Sequence, residues 1–238
     1  MVSYFVETLY IPKDLVILNS FRNTLQCLYF WARKPAFIIL TLANQHSGRG
    51  ENLKLFLIDA SLEHDYIRFN RETKWTEMRE GIIKDGYYAG SAPYIKMGNK
   101  IVGRTVPVMR YISAKLGNKY HGSTDKESYL LDVVSDMTND WFESIKKLHI
   151  GNEEEKNMSY RSHYSKLAEK SLTTTTHAIK MGHISWEIRQ ITYPDFLVYH
   201  LLDDDQCLQR LDEYPKLKIF VKAFEERPNT KEHLTSLR

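Results

Sequence analysis

Cysteine is nearly missing from the chain: of 238 residues only Cys27 and Cys207 carry a thiol, and they stand far apart. With no histidines at metal-ligand spacing beside them, a disulfide scaffold and a structural zinc site are excluded, and a reducing compartment such as the cytoplasm fits. Charge of one sign is also missing. The 33 lysines and arginines nearly balance the 30 aspartates and glutamates, leaving a formal charge of +3. The basic residues are scattered rather than gathered into a stripe, which excludes nucleic acid as a default partner. No apolar run reaches the length of about 18 residues that a membrane helix needs. The nearest candidate, LVILNSFRNTLQCLYFWARK, is broken by Asn19, Ser20, Arg22 and Asn23. Signatures of a serine hydrolase (G-x-S-x-G) and of a phosphate loop (G-x-x-x-x-G-K) are absent. His149, His163, His177 and His183 fall on separate stretches without paired spacing, so no metal role is assigned to them.

The first 34 residues do not have the form of a signal peptide, because a positive n-region is missing and Glu7 and Asp14 interrupt the apolar stretches. Residues 1–34 are expected to be a poorly ordered or anomalous extension, with a transit-like amphipathic segment as the alternative.

From Pro35 the pattern sharpens. AFIILTLAN reads as a strand, SGRGENLKLFLIDASL as a helix with Leu53, Leu55, Phe56, Leu57 and Leu62, and DYIRF as a second strand, which makes a βαβ unit. After the polar, aromatic stretch NRETKWTEMREG come APYIKM and IVGR, read as a hairpin turning at Gly98 and Asn99. TVPVMRYISAKLG follows as a helix closed by Gly117. The order βαβ, ββ, α predicts an α/β thioredoxin-like domain over residues 35–117. Residues 126–238 carry helical patterns, at about 127–149, 154–182, 192–205 and 214–226, and almost no strand signal. The second half is therefore expected to be all-helical. Within it ITYPDFLVYHLL holds a capping box: Thr192 is placed to accept from the third helical N–H, Asp195 to accept from Thr192 N–H, and Ile191 to staple onto Phe196.

The GRGE that opens the first helix, SAPYI before the hairpin, the T-x-x-D box, TKWTEMR, DVVSDMTNDW and YPKLKIFVKAFEERPNTKEHL together resemble the cytosolic glutathione S-transferases, in the manner of fungal, sigma-like members. The resemblance spans about residues 36–238. It implies the glutathione transferase fold, glutathione as co-substrate without a metal, an electrophilic apolar small molecule as second substrate, and a homodimer with no nucleic-acid or membrane partner.

By the same resemblance Pro93 corresponds to a cis-proline, at which the backbone of Ala92 pairs with the cysteinyl part of glutathione like an added strand. Arg104 and Thr105, at a helix N-terminus, occupy the place where the family binds the γ-glutamyl carboxylate; such an end attracts anions through its free N–H groups and dipole. Threonine keeps the family's hydroxyl, whereas arginine stands where the family carries glutamine or glutamate. Trp75 and Arg79 would border the glycyl end, Arg79 being otherwise an ordinary solvated helix charge. Asp140, which shares a helix face with Asp136, matches the aspartate that reaches toward the γ-glutamyl amine across a dimer interface; a solvated acidic face is the alternative. Tyr129 and Met137 are candidates for the acceptor pocket, with core packing as their other reading. Asp136, Asn139 and Asp140 together make a weak metal site.

The thiol-activating position departs from the resemblance. A donor to the sulfur favours the nucleophilic thiolate, but in LTLANQHSGRGE Leu42 or Ala43 stands where sigma-like members carry tyrosine. Ser47 and Asn44 are the candidate catalytic residues, with Ser47 equally suited to capping the first helix. Arg49 and Glu51 are expected to tie that helix to the second domain.

Overall fold

The computed structural model describes residues 37–42, 48–150, 191–204, 208, 211–212 and 214–236. The expected extension at 1–34, the catalytic candidates Asn44 and Ser47, and the helical pattern at 154–182 lie outside them.

Alternation sets the first strand. In β1 (Phe37–Leu42) the side chains of Phe37 and Ile39 enter one apolar cluster while Ile38 and Leu40 enter another, so the strand is covered on both faces. Its neighbour β2 (His64–Phe69) runs parallel in the register Phe37↔His64 to Leu42↔Phe69. The crossover between them is α1 (Gly48–Asp59). On its other side β1 pairs antiparallel with β3 (Tyr94–Met97), which turns through Gly98 and Asn99 into β4 (Lys100–Gly103). Gly98, at φ 58°, supplies the left-handed turn residue expected there. The sheet order is β2-β1-β3-β4, the mixed sheet of a thioredoxin-like domain.

One helix was not legible in the sequence. The stretch NRETKWTEMREG, given no element of its own among the sequence patterns beyond a polar, aromatic stretch, forms α2 (Arg71–Lys84) between β2 and β3. Its apolar stripe is thin: Trp75, Met78 and Ile82 pack on Leu40, Phe69 and Tyr94 across one face of the sheet, and nearly everything else on the helix is exposed. Helix α3 (Thr105–Lys115) covers the opposite face beside α1 and ends at the C-cap Leu116, after which Gly117 takes φ 68°, the left-handed conformation that follows such a cap.

The described part of the second half is helical throughout its elements: α4 (Asp125–Ile150), α5 (Tyr193–Asp204), α6 (Pro215–Glu225) and α7 (Pro228–Ser236). Every residue from Ile191 to Leu202 is buried, so α5 is enclosed on all sides over that length and serves as the axis of this half. Leu53, Leu55, Phe56 and Leu57 leave α1 similarly enclosed, with β1, α3, α5 and α7 packed around it. One apolar cluster runs from Phe37 in the sheet through Phe56 to Phe196, Phe224 and Leu234. The ring of Phe56 meets Phe196 edge-on at 5.3 Å. Gly50 is required in this packing: a Cβ there would lie 2.5 Å from the Oγ1 of Thr41 in β1.

The capping box of α5 is half as expected. Asp195 Oδ2 accepts from Thr192 N–H at 2.7 Å, but the Thr192 hydroxyl donates to the same oxygen at 3.0 Å. The N–H of Asp195 goes instead to the Thr192 carbonyl at 3.2 Å. A buried carboxylate is the stronger acceptor, and it draws the hydroxyl proton to itself.

Candidate functional site

Register gathers the site. Tyr94 lies opposite Gly103 in one pairing and opposite Leu40 in the other. The residues just beyond, Ala92 and Pro93 before β3 and Arg104 and Thr105 after β4, therefore meet at one end of the sheet, beside the end of β1. The Ala92–Pro93 peptide is cis. Pro93 is buried and Ala92 half-buried against the Trp75 side of the sheet.

The loop into Pro93 is held from α2. Arg79 Nε donates to the Gly90 carbonyl at 3.2 Å, and Tyr87 and Ser91 share a hydrogen bond of 2.8 Å between their hydroxyls. The sequence reading gave Arg79 either to a ligand carboxylate or to solvent; its Nε is engaged in fixing this loop. Trp75 stacks on Phe69, with ring centroids 5.7 Å apart. Neither Tyr87 nor Ser91 was singled out in the sequence, because a bond between two loop hydroxyls has no periodicity to betray it.

At the other flank α3 begins without a side-chain cap. Its N-cap residue is Arg104, at φ 67°, which makes no capping hydrogen bond. The first intrahelical bond runs from Val108 N–H to the Arg104 carbonyl. Position 107 is proline, so the first turn offers the N–H groups of Thr105 and Val106, which have no partner within the helix. The Thr105 residue is 6% exposed and its hydroxyl has no hydrogen-bond partner among the described residues. A buried hydroxyl left unpaired costs about 1–3 kcal/mol, so this end of α3 has room for an acceptor that the described residues do not supply. An anion meets that need, because the helix dipole adds to the donors.

The N-terminus of α1 reaches the same end of the sheet and is clamped from the helical half. His200 Nε2, buried within α5, donates to the Gly48 carbonyl at 2.8 Å. Arg49 pairs with Glu143 on α4 at 3.1 Å and lies over the Phe142 ring at 4.3 Å. Burial lowers the Arg49 guanidinium, Glu143 raises it, and the nearby Arg104 lowers it again. Glu51 accepts from His233 Nε2 on α7 at 3.0 Å. Arg49 and Glu51 thus tie α1 to the second half, as the sequence leads one to expect. His200 does so as well, and its only sequence signal is a polar residue inside an otherwise apolar helix.

The structure therefore brings Ala92, Pro93, Arg104 and Thr105 together, with Trp75 and Arg79 flanking the loop into them. Asp140 stands on another element, exposed on α4. Of the acceptor-pocket candidates, Met137 is half-buried, whereas Tyr129 is 65% exposed and does not serve core packing. Among the described residues no cluster of histidine, cysteine and carboxylate side chains could hold a metal, and no helix is long and apolar enough to cross a membrane.

Comparison with known proteins agrees with this fold. Residues 139–237 match the family model "Glutathione S-transferase, C-terminal domain". Glutathione S-transferase Mu 3 of Macaca fuscata fuscata is 27% identical over 141 residues, covering 56% of this chain and 57% of that protein. The chain thus spans little more than half the length of the Mu-class relatives it matches. Glutathione S-transferase P 10 of Caenorhabditis elegans is 27% identical over 199 residues, 79% of this chain and 86% of its own. Among solved structures, a glutathione S-transferase of Ascaris lumbricoides superposes with a TM-score of 0.69 at 18% identity, covering 85% of this chain and 97% of its own. A Pi-class glutathione S-transferase of Onchocerca volvulus gives 0.65 at 18% identity, covering 84% and 93%. These names lie with the Mu and Pi classes and lend no support to the fungal, sigma-like subclass suggested by the motifs. Fold and sequence together relate the chain to the glutathione S-transferases.

Proposed function

We propose that the protein is a glutathione transferase that adds the thiolate of glutathione to electrophilic, largely apolar small molecules, working as a homodimer in the cytoplasm. The observation that carries this reading is the buried hydroxyl of Thr105, without a partner among the described residues, beside two N–H groups that have no intrahelical partner at the start of α3, where a carboxylate of the tripeptide would complete the donors. Around it, Ala92 offers its backbone to the cysteinyl unit, Trp75 and Arg79 border the glycyl end, and Asp140 meets the amine of the ligand held by the neighbouring subunit. Glutathione needs no metal in this chemistry. Ser47 or Asn44 would donate to the sulfur and hold it as thiolate, the nucleophilic form.

A second reading is favoured by one specific feature: β1 ends in Leu42, so no tyrosine follows the strand to activate the thiol. In that case the protein is a non-catalytic binding or regulatory relative. Immobilised glutathione and an assay with an aromatic halide acceptor separate the two. Retention with turnover supports the enzyme, and retention without turnover supports the binding protein. Loss of both from folded protein would refute the glutathione site. Turnover lost in Ser47→Ala or in Asn44→Ala identifies the activator, and turnover unchanged in both rejects both assignments.

A further inference from the structure

Resting on the proposed glutathione site, we propose that His200 of α5 is a positioning residue for the thiol end of that site, where its bond to Gly48 fixes the peptide from which α1 starts. Register locates this end. Leu40 lies opposite Tyr94 in the antiparallel pairing, so Thr41, the next residue of β1, comes beside Pro93. Gly50, in the first turn of α1, packs on Thr41 so closely that a Cβ there would lie 2.5 Å from its Oγ1. The start of α1 therefore stands next to Ala92 and Pro93, where the proposed function pairs the cysteinyl unit that carries the sulfur.

Gly48 takes φ 61°, and a Cβ built on it meets nothing within 4 Å among the described residues, so glycine is there for its backbone conformation. The same freedom leaves the Gly48–Arg49 peptide in need of an outside contact to hold it. His200 supplies one. Its Nε2 donates to the Gly48 carbonyl at 2.8 Å, while the Oδ2 of Asp204, one turn further along α5, stays at 3.9 Å. The His200 residue is 2% exposed, on a helix that packs on α1, so water does not compete for the bond. A peptide is planar and trans, and its C=O and N–H point in opposite directions. Holding the Gly48 carbonyl along the helix therefore aims the Arg49 N–H out of the N-terminus, where it has no partner within the helix. Ser47, one of the two proposed activators, is bonded directly to Gly48. Donors fixed in advance stabilise a charge without having to be ordered when it forms, which favours the sulfur that has lost its proton to solvent.

The probe is glutathione bound to the full-length protein, its thiol titrated through the ultraviolet absorbance of the thiolate, a readout that does not depend on turnover; kcat and the KM for glutathione are measured beside it. His200→Leu removes the donor, His200→Asn carries an amide too short to reach Gly48, and His200→Gln carries one at the reach of Nε2. The leucine and asparagine variants are expected to raise the thiol pKa of bound glutathione by about one unit and to lower kcat at neutral pH about tenfold, with KM within about twofold, while glutamine restores both. Thiol titration and kcat unmoved in the first two variants, equal losses in all three, or failure of the first two to fold would make His200 a structural residue and overturn the inference. Unaltered protein that binds glutathione without lowering its thiol pKa also overturns it and leaves the binding site standing. Folded unaltered protein that binds no glutathione overturns the proposed function and this inference with it.

Discussion

Arg227, in the turn between α6 and α7, grips Asp59 at the end of α1 with two hydrogen bonds, Nε to Oδ1 at 2.6 Å and Nη2 to Oδ2 at 3.0 Å. Asp59 is 1% exposed, and Tyr120 donates its hydroxyl to the same carboxylate at 2.9 Å. Burial, and after it that carboxylate, raises the Tyr120 phenol well above its usual range. Removing the guanidinium strands a buried charge with one remaining donor. Arg227→Ala is expected to destabilise the protein by about 3 kcal/mol, read as a lower urea midpoint. Arg227→Lys should recover only part of this, because a single ammonium cannot reproduce the two-pronged contact. A loss below the usual worth of a surface pair, about 1 kcal/mol, would contradict the assignment.

The Thr105 hydroxyl makes opposite demands on stability and binding. Valine is close to its shape and lacks the unpaired oxygen, so Thr105→Val is expected to leave the ligand-free protein as stable as before or up to about 1 kcal/mol more stable. Glutathione affinity should meanwhile fall about tenfold, the worth of one hydrogen bond to a charged acceptor. Thermal unfolding and calorimetric titration of the same sample check both. A hydroxyl with a purely structural role would instead show lowered stability and unchanged affinity.

These residues also mark where the sequence was informative. The sheet and α1 were legible because Phe37–Leu42 and Leu53–Leu57 are apolar enough to require burial whatever surrounds them. Helix α2 was not, since Trp75, Met78 and Ile82 are the whole of its buried stripe and Arg71–Lys84 otherwise reads as solvated. Within the site, Pro93 and Thr105 were marked out by the resemblance of SAPYI and of the following helix start to the glutathione transferases, and the structure brings the two to one end of the sheet. The engagement of Arg79 with Gly90 was not legible, because a side chain bonded to a carbonyl 11 residues away leaves no local pattern. Glu51 could be expected to face the second half, yet its partner His233 lies 182 residues further along, a pairing only the fold reveals.

Close packing between α1 and β1 gives a third prediction. A methyl on Gly50 would lie 2.5 Å from Oγ1, 2.6 Å from Cβ and 2.8 Å from Cγ2 of Thr41, a short side chain in a strand buried on both faces. Thr41 has little room to yield, so helix and sheet must part. Gly50→Ala is expected to cost about 1–3 kcal/mol despite alanine's better helix propensity. An unfolding midpoint equal to or above that of the unaltered protein would show that the contact relaxes without strain.

The pH dependence of stability should be traceable to His121. Its Nδ1 shares a hydrogen bond of 2.6 Å with Ser113 Oγ, which also accepts from Tyr120 N–H at 3.0 Å. Around the ring stand Tyr193, with centroids 5.7 Å apart, and the pair Arg110 and Asp132. Burial lowers the His121 pKa, Arg110 lowers it further, and Asp132 opposes them. With the folded value below the unfolded value of about 6.5, the unfolded chain binds more protons in the interval between them. Stability from this source is complete above about pH 6.5 and is lost as the pH falls toward and through the folded value. His64, also lowered chiefly by burial, adds a contribution of the same sign. Melting temperatures taken from about pH 8 to about pH 5 should fall toward acid in the unaltered protein and less steeply in His121→Gln, where the His64 contribution alone remains of the two. Parallel curves for the two proteins would exclude His121 as a source of the slope.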